Sequence, residues 1–176
     1  MTVDQRYDLI ETPLGWVGMV GSERGIARTT LPQAGPPGCL AMLGVDAENG
    51  RRDRPHFAAL TGRIEAYFAG EEVSFEDEEL DLPGAGAFSR AAWQACRTIP
   101  YGETRTYGWL AAQAGRPDAP RAAGQTMARN RLPIVIPCHR VIGADGALRG
   151  FGRGTTLISL KRRLLEMEDP ALFIRG

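Results

Sequence analysis

Residues that ligate metals or titrate near neutral pH are scarce in this chain. There are three cysteines, Cys39, Cys96 and Cys138, and two histidines, His56 and His139. No CxxC pair or Cys/His ligand spacing occurs, so neither a structural zinc site nor a disulfide framework is expected. Cys96 reads as a small buried apolar residue, Cys39 as incidental, and His56 as a surface residue. Apolar runs are short, and none reaches the roughly eighteen residues of a membrane-spanning helix. The opening MTVDQRYDLI has no basic region followed by an apolar stretch, so no secretory leader is expected and a reducing, cytoplasmic location is the default. The Gly-rich GFGRG is not GxxxxGK[ST], which excludes a phosphate-binding P-loop. Lysine is nearly missing too: Lys161 is the only one, and all other basic residues are arginine.

A net charge of zero conceals an asymmetry. Residues 1–85 carry 7 arginines against 15 acidic residues, a balance of −8. Residues 86–176 carry 14 basic against 6 acidic residues, a balance of +8. A basic half-chain suits a polyanion, and arginine suits bidentate phosphate contacts and stacking. Two halves that merely attract each other would show the same balance.

The residue pattern predicts an α+β chain of two domains, 1–85 and 86–176. Residues 7–30 hold β-branched and aromatic residues broken by TPLG and SERG, which predicts a two- or three-stranded antiparallel sheet. The Pro- and Gly-rich stretch 32–55 predicts loop, with a short helix near Cys39–Leu43. Phe57, Leu60, Ile64, Tyr67 and Phe68 share one helical face over 56–70. The acidic EEVSFEDEELDLPGAGA reads as a solvated charge run. From Phe88 the second domain is mostly helical. An amphipathic helix directs Phe88, Ala92, Trp93 and Cys96 to a core. Two short helices, RTYGWLAAQAG and RAAGQTMARN, joined by RPDAP, predict a helix-turn-helix. The last helix, TTLISLKRRLLEMED, sets Leu157, Leu160, Leu164 and Met167 in one stripe and stops at Pro170.

Between these helices lies IPCHRV, where Cys138 directly precedes His139. On an extended strand adjacent side chains point to opposite faces. The pair is either accidental, a buried thiol beside a surface imidazole, or a thiol with a base in its neighbourhood. A thiol needs such a base, a cation or a helix N-terminus to act as a nucleophile at neutral pH. A carboxylate that orients the imidazole would complete a relay. Glu166 and Glu168 are candidates, with Glu103 and Asp118 more remote.

RAAGQTMARNRLPIVIPCHRVIGADGALRGF closely resembles the core of the O6-alkylguanine-DNA alkyltransferases, the methylated-DNA–protein-cysteine methyltransferases. IPYGETRTYGWLA resembles the segment that precedes it in that family. The resemblance runs from about Phe88 to Glu168 and is loose before that. It implies a protein, expected to be monomeric, that binds double-stranded DNA containing O6-alkylguanine from the minor groove, flips the base, and keeps its alkyl group as a thioether. Each molecule would act once, without metal or organic cofactor. The implied catalytic residues are Cys138 as acceptor, His139 as base acting through a water, Glu168 as its orienting carboxylate, Asn130 as brace, and Tyr107 as proton donor. Arg121 is the implied finger entering the base stack. Thr106, Ala122, Gln125 and Arg129 would lie on DNA, and Met127, Pro133, Val141, Phe151, Gly152 and Arg153 would form the pocket.

This chain departs from the family pattern in three places. The loop before the last helix is longer by a few residues. Phe151 stands where a tyrosine is usual and Arg153 where a glycine is usual, which predicts a tighter, more positive rim that disfavours bulky adducts. Gln125 replaces a frequent second glycine. Three other readings compete. A lesion-recognition module of the alkyltransferase-like kind would lack the acceptor cysteine. A cysteine hydrolase would need an oxyanion hole and turnover. A transcription regulator would need an added metal-thiolate domain.

Overall fold

In the computed structural model, residues 6–45, 50–151 and 157–174 are described. The chain forms two compact units. One comprises Met1–Val73, Asp77–Pro83 and Arg131–Ile134, and the other Ser74–Glu76, Gly84–Asn130 and Val135–Gly176.

The first unit is built on a four-stranded sheet ordered β3-β2-β1-β4. Strands β1 (Arg6–Thr12), β2 (Gly15–Ser22) and β3 (Gly25–Thr29) form the expected antiparallel meander. The loop expected over 32–55 contains helix α1 (Pro36–Leu43) and a two-residue strand β4 (Arg51–Arg52), parallel to β1. The sheet is therefore mixed. Helix α2 (Ala58–Phe68) follows the predicted periodicity, burying Leu60, Ile64, Tyr67 and Phe68. Strand β2 is buried on both faces, which accounts for its nearly unbroken burial. On one face Leu9, Val20, Cys39 and Leu43 cluster. On the other the Thr61 hydroxyl reaches Met19 Sδ at 3.8 Å. Gly18 lets α1 lie close: a Cβ there would stand 2.9 Å from Leu43 and 3.0 Å from Cys39. Cys39 is thus no incidental residue. It is wholly buried, and its thiol donates to the Trp16 carbonyl at 3.3 Å.

The acidic stretch departs from the solvated run read in the sequence. Ile26 donates to Glu79 O and Asp81 donates to Ile26 O, so residues 79–81 cover the outer edge of β3. Arg63 pairs with Asp77 and Glu78, and Arg24 with Asp81. An edge strand exposes unpaired backbone groups, and this segment covers some of them.

In the second unit, α3 (Ala87–Arg97) packs on α4 (Tyr107–Gln113) and α5 (Pro120–Ala128). Between α3 and α4, Arg105–Thr106 forms β5, paired in parallel with β6 (Val141–Ile142). The α4–α5 turn has the predicted helix-turn-helix chemistry. Gly115 takes φ +83°, its N–H donates to Ala112 O, and the Arg116 N–H donates to Ala111 O at 2.9 Å, closing α4 with a left-handed cap. Pro120 opens α5. Trp93 Nε1 donates to Thr126 O at 3.2 Å, tying α3 to α5.

Helix α6 (Ile158–Glu168) corrects the sequence reading. Its buried side chains are Lys161, Leu164, Leu165 and Glu168, an i, i+3, i+4, i+7 face with a charge at each end. Leu157, Leu160 and Met167, read as the core stripe, are only half-buried. No helix among the described residues is long and apolar enough to cross a membrane.

Candidate active site

Cys138 and His139 do not alternate on an extended strand. Residues 138–140 form one 3-10 turn, and all three side chains are buried. Pro137 precedes the turn, the Cys138 N–H donates to Ile136 O at 2.7 Å, and the Arg140 N–H donates to Pro137 O at 2.9 Å.

The carboxylate is Glu168. Its Oε1 lies 2.6 Å from His139 Nε2, and both side chains are fully buried. Glu166 is half-exposed and lies 3.5 Å from Arg162 instead. Arg140 donates to both Glu168 oxygens, at 2.9 and 3.1 Å, and to Ile99 O at 2.7 Å. The Gly102 N–H adds a bond to Oε2 at 3.1 Å. Gly102 belongs to the PYGET turn and takes φ +76°, so this motif serves the site through its backbone.

These contacts fix the proton inventory. Burial alone would raise the Glu168 pKa, but His139 and Arg140 beside it hold the carboxyl well below the usual range. Burial pushes the His139 pKa down, against the pull of Glu168. A neutral imidazole bonded to an ionised carboxylate must donate from Nε2, which leaves the lone pair on Nδ1. Burial raises the Cys138 thiol pKa, opposed by a hydrogen bond from Asn130, by Lys161 and by the backbone N–H groups of Cys138 and His139. The resting thiol therefore keeps its proton and needs a base to act.

Asn130 also donates to Ile136 O at 2.9 Å. Burial, reinforced by Cys138, raises the Tyr107 pKa to about 12, so the phenol stays a donor at neutral pH. The Thr106 hydroxyl caps α4 by accepting the Trp109 N–H at 3.1 Å. Arg121 and Gln125 on α5 and Arg129, its C-cap, are exposed at i, i+4 and i+8 along the second helix of the helix-turn-helix, with Ala122 half-buried beside them. Met127, Val141 and Phe151 are buried in the same unit. Pro133 belongs to the other unit. Gly152, Arg153 and most of the lengthened loop lie outside the described residues. Among the described residues no cluster of His, Cys, Asp and Glu could hold a metal.

Two site residues escaped the sequence reading. Arg140 neutralises Glu168. Lys161, wholly buried, donates from Nζ to Val141 O at 2.6 Å and lies 5.8 Å from the Tyr107 ring and 5.9 Å from the Phe151 ring. Burial lowers its pKa to about 8. The available signal was its spacing: Lys161 stands three and four residues before Leu164 and Leu165, on the apolar face of its helix.

Comparison with known proteins identifies the family. The DNA-binding domain profile of 6-O-methylguanine DNA methyltransferase matches residues 87–170, and the ribonuclease-like domain profile of the same family matches residues 5–82. A methylated-DNA–protein-cysteine methyltransferase of Mycobacterium bovis is 51% identical over 166 residues, covering 92% of this chain and 91% of its own. The crystal structure of Mycobacterium tuberculosis O6-methylguanine methyltransferase is similar at TM-score 0.74 and 40% identity, covering 94% of this chain and 93% of that one. The crystal structure of Mycobacterium tuberculosis OGT in complex with DNA is similar at TM-score 0.74 and 40% identity, with the same coverage. The chain belongs to the 6-O-methylguanine DNA methyltransferase family.

Proposed function

We propose that Cys138 Sγ takes the alkyl group from O6-alkylguanine in double-stranded DNA and keeps it, one group per molecule. The protein is a methylated-DNA–protein-cysteine methyltransferase and repairs DNA by direct reversal. The observation that carries the site assignment is the buried His139–Glu168–Arg140 set, whose histidine directly follows the buried Cys138.

In the step, the S–C bond forms as the C–O6 bond breaks. The thiol proton passes to His139 Nδ1, directly or through a water. Glu168, already balanced by Arg140, holds the ring orientation and stabilises the imidazolium as it forms. Tyr107 donates toward the departing guanine, and its raised pKa keeps that proton available. Asn130 braces the approach to Cys138 through Ile136 O.

The exposed arginine stripe of α5 supports DNA as the partner. Arg129 and Gln125 contact the duplex with Ala122 and Thr106, and Arg121 fills the stack vacated by the flipped base, where a planar cation can both stack and hydrogen-bond. Flipping costs a few kcal/mol and is easier for a weakened pair, so the lesion is favoured over normal guanine. Met127, Val141 and Phe151 would line the base pocket. The backbone around Val141 would meet the base edges, and its carbonyl is held in place by Lys161. We place the protein in the cytoplasm, whose reducing poise suits its three free thiols.

The test is a titration with excess duplex carrying one O6-methylguanine. Restored guanine should plateau at one equivalent per protein, and the Cys138→Ser variant should restore none. Continued turnover would contradict irreversible self-alkylation.

A further inference from the structure

We propose that Thr29, at the end of the edge strand β3, is a positioning residue for alkyl transfer, acting through the backbone that leads into the Cys138 turn. The inference rests on the function proposed above.

Thr29 is nearly buried. Its N–H donates to Arg131 O at 3.0 Å and its hydroxyl donates to Pro133 O at 2.7 Å. An edge strand has an open row of backbone groups, and here one of them, the Thr29 N–H, holds Arg131 while the side-chain hydroxyl holds Pro133. These residues are far from Thr29 in sequence, yet they fold within the same unit. Immediately after the gripped carbonyl comes Ile134, at φ +76°, the only non-glycine with positive φ among the described residues. A β-branched residue resists that conformation, so the surrounding structure must hold it there. Leu132 and Ile134 are both buried, which adds to the hold.

Two residues after Ile134, Ile136 O accepts from both Asn130 and the Cys138 N–H. The run into the nucleophile is therefore fixed at two carbonyls, Pro133 by Thr29 and Ile136 by Asn130, with the strained residue between them. Releasing the Pro133 carbonyl lets Ile134 relax toward negative φ, which turns the chain that enters the Cys138 turn. In-line displacement is sensitive to misplacement on the ångström scale. Thr29→Val keeps the shape and the backbone N–H but removes the hydroxyl donor, and Thr29→Ser keeps the donor.

The test measures single-turnover transfer at saturating duplex carrying O6-methylguanine, together with duplex affinity and thermal midpoint, for the native protein and both variants. The expected result is transfer slowed about five- to tenfold in Thr29→Val, the effect of one neutral hydrogen bond. Affinity should stay within about twofold, and Thr29→Ser should transfer near the native rate. Native-rate transfer in Thr29→Val would overturn the proposal. So would a loss of rate, affinity and midpoint together that Thr29→Ser shares, because that pattern is general destabilisation. Failure of the native protein to transfer at all would instead remove the function on which the proposal rests.

Discussion

Glu168 is held by His139, Arg140 and the Gly102 N–H, and its charge is matched inside the protein. Removing one partner of a buried pair leaves the other charge uncompensated, at about 3–5 kcal/mol. Glu168→Gln should therefore destabilise the protein strongly at pH 7. The pH dependence has a definite sign. The folded carboxyl lies below its unfolded value of about 4.3, so the folded state binds its proton less readily than the unfolded state. The Glu168 contribution is complete above about pH 4.3 and is lost as pH falls toward the folded value. Urea unfolding at several pH values should show the gap between native and Glu168→Gln proteins shrinking below about pH 4.3. A gap that widens with acidity would contradict an ionised Glu168. At this scale the sequence showed that a thiol, a base and a carboxylate were present, and the family resemblance chose Glu168 over Glu166. It did not show Arg140 as the counterion, because residue type alone does not separate a buried guanidinium from a DNA-facing one.

Among the elements, α5 and α6 differ in how far their sequences could be read. Helix α5 has its start at Pro120, its tight preceding turn and its exposed Arg121, Gln125 and Arg129 written in local residue types. Helix α6 has a buried face bounded by Lys161 and Glu168, which hydrophobic periodicity assigns to solvent. Its charged positions are internal because each has a partner, Val141 O for Lys161 and His139 with Arg140 for Glu168. The α5 stripe yields a prediction that separates two arginines. Arg129→Ala should weaken binding to damaged and undamaged duplex alike and reduce the slope of log affinity against log salt by about 1. Arg121→Ala should slow transfer from duplex yet leave transfer from the free alkylated base unchanged. Equal effects of both variants on salt slope and on both substrates would contradict a distinct role for Arg121.

Across the whole molecule, the opposed charge balances of the two half-chains were visible from composition, but their use was not. Part of the acidic excess is consumed within the first unit, where Asp77, Glu78 and Asp81 pair with Arg63 and Arg24. Segments 79–81 and 131–133 reach β3 from distant parts of the chain. Pairing of that kind leaves no period in the sequence, so the membership of residues 131–134 in the first unit is not legible there. The helix-turn-helix and the meander were legible because their turns and faces are local.

The function proposed here turns on Cys138 as the alkyl acceptor. The measurement that tests it most directly is a peptide mass spectrum of the protein after one equivalent of duplex carrying O6-methylguanine. One added methyl should appear on the peptide that contains Cys138, with Cys39 and Cys96 unmodified. A methyl on any other residue, or restored guanine with no methyl on the protein, would contradict it.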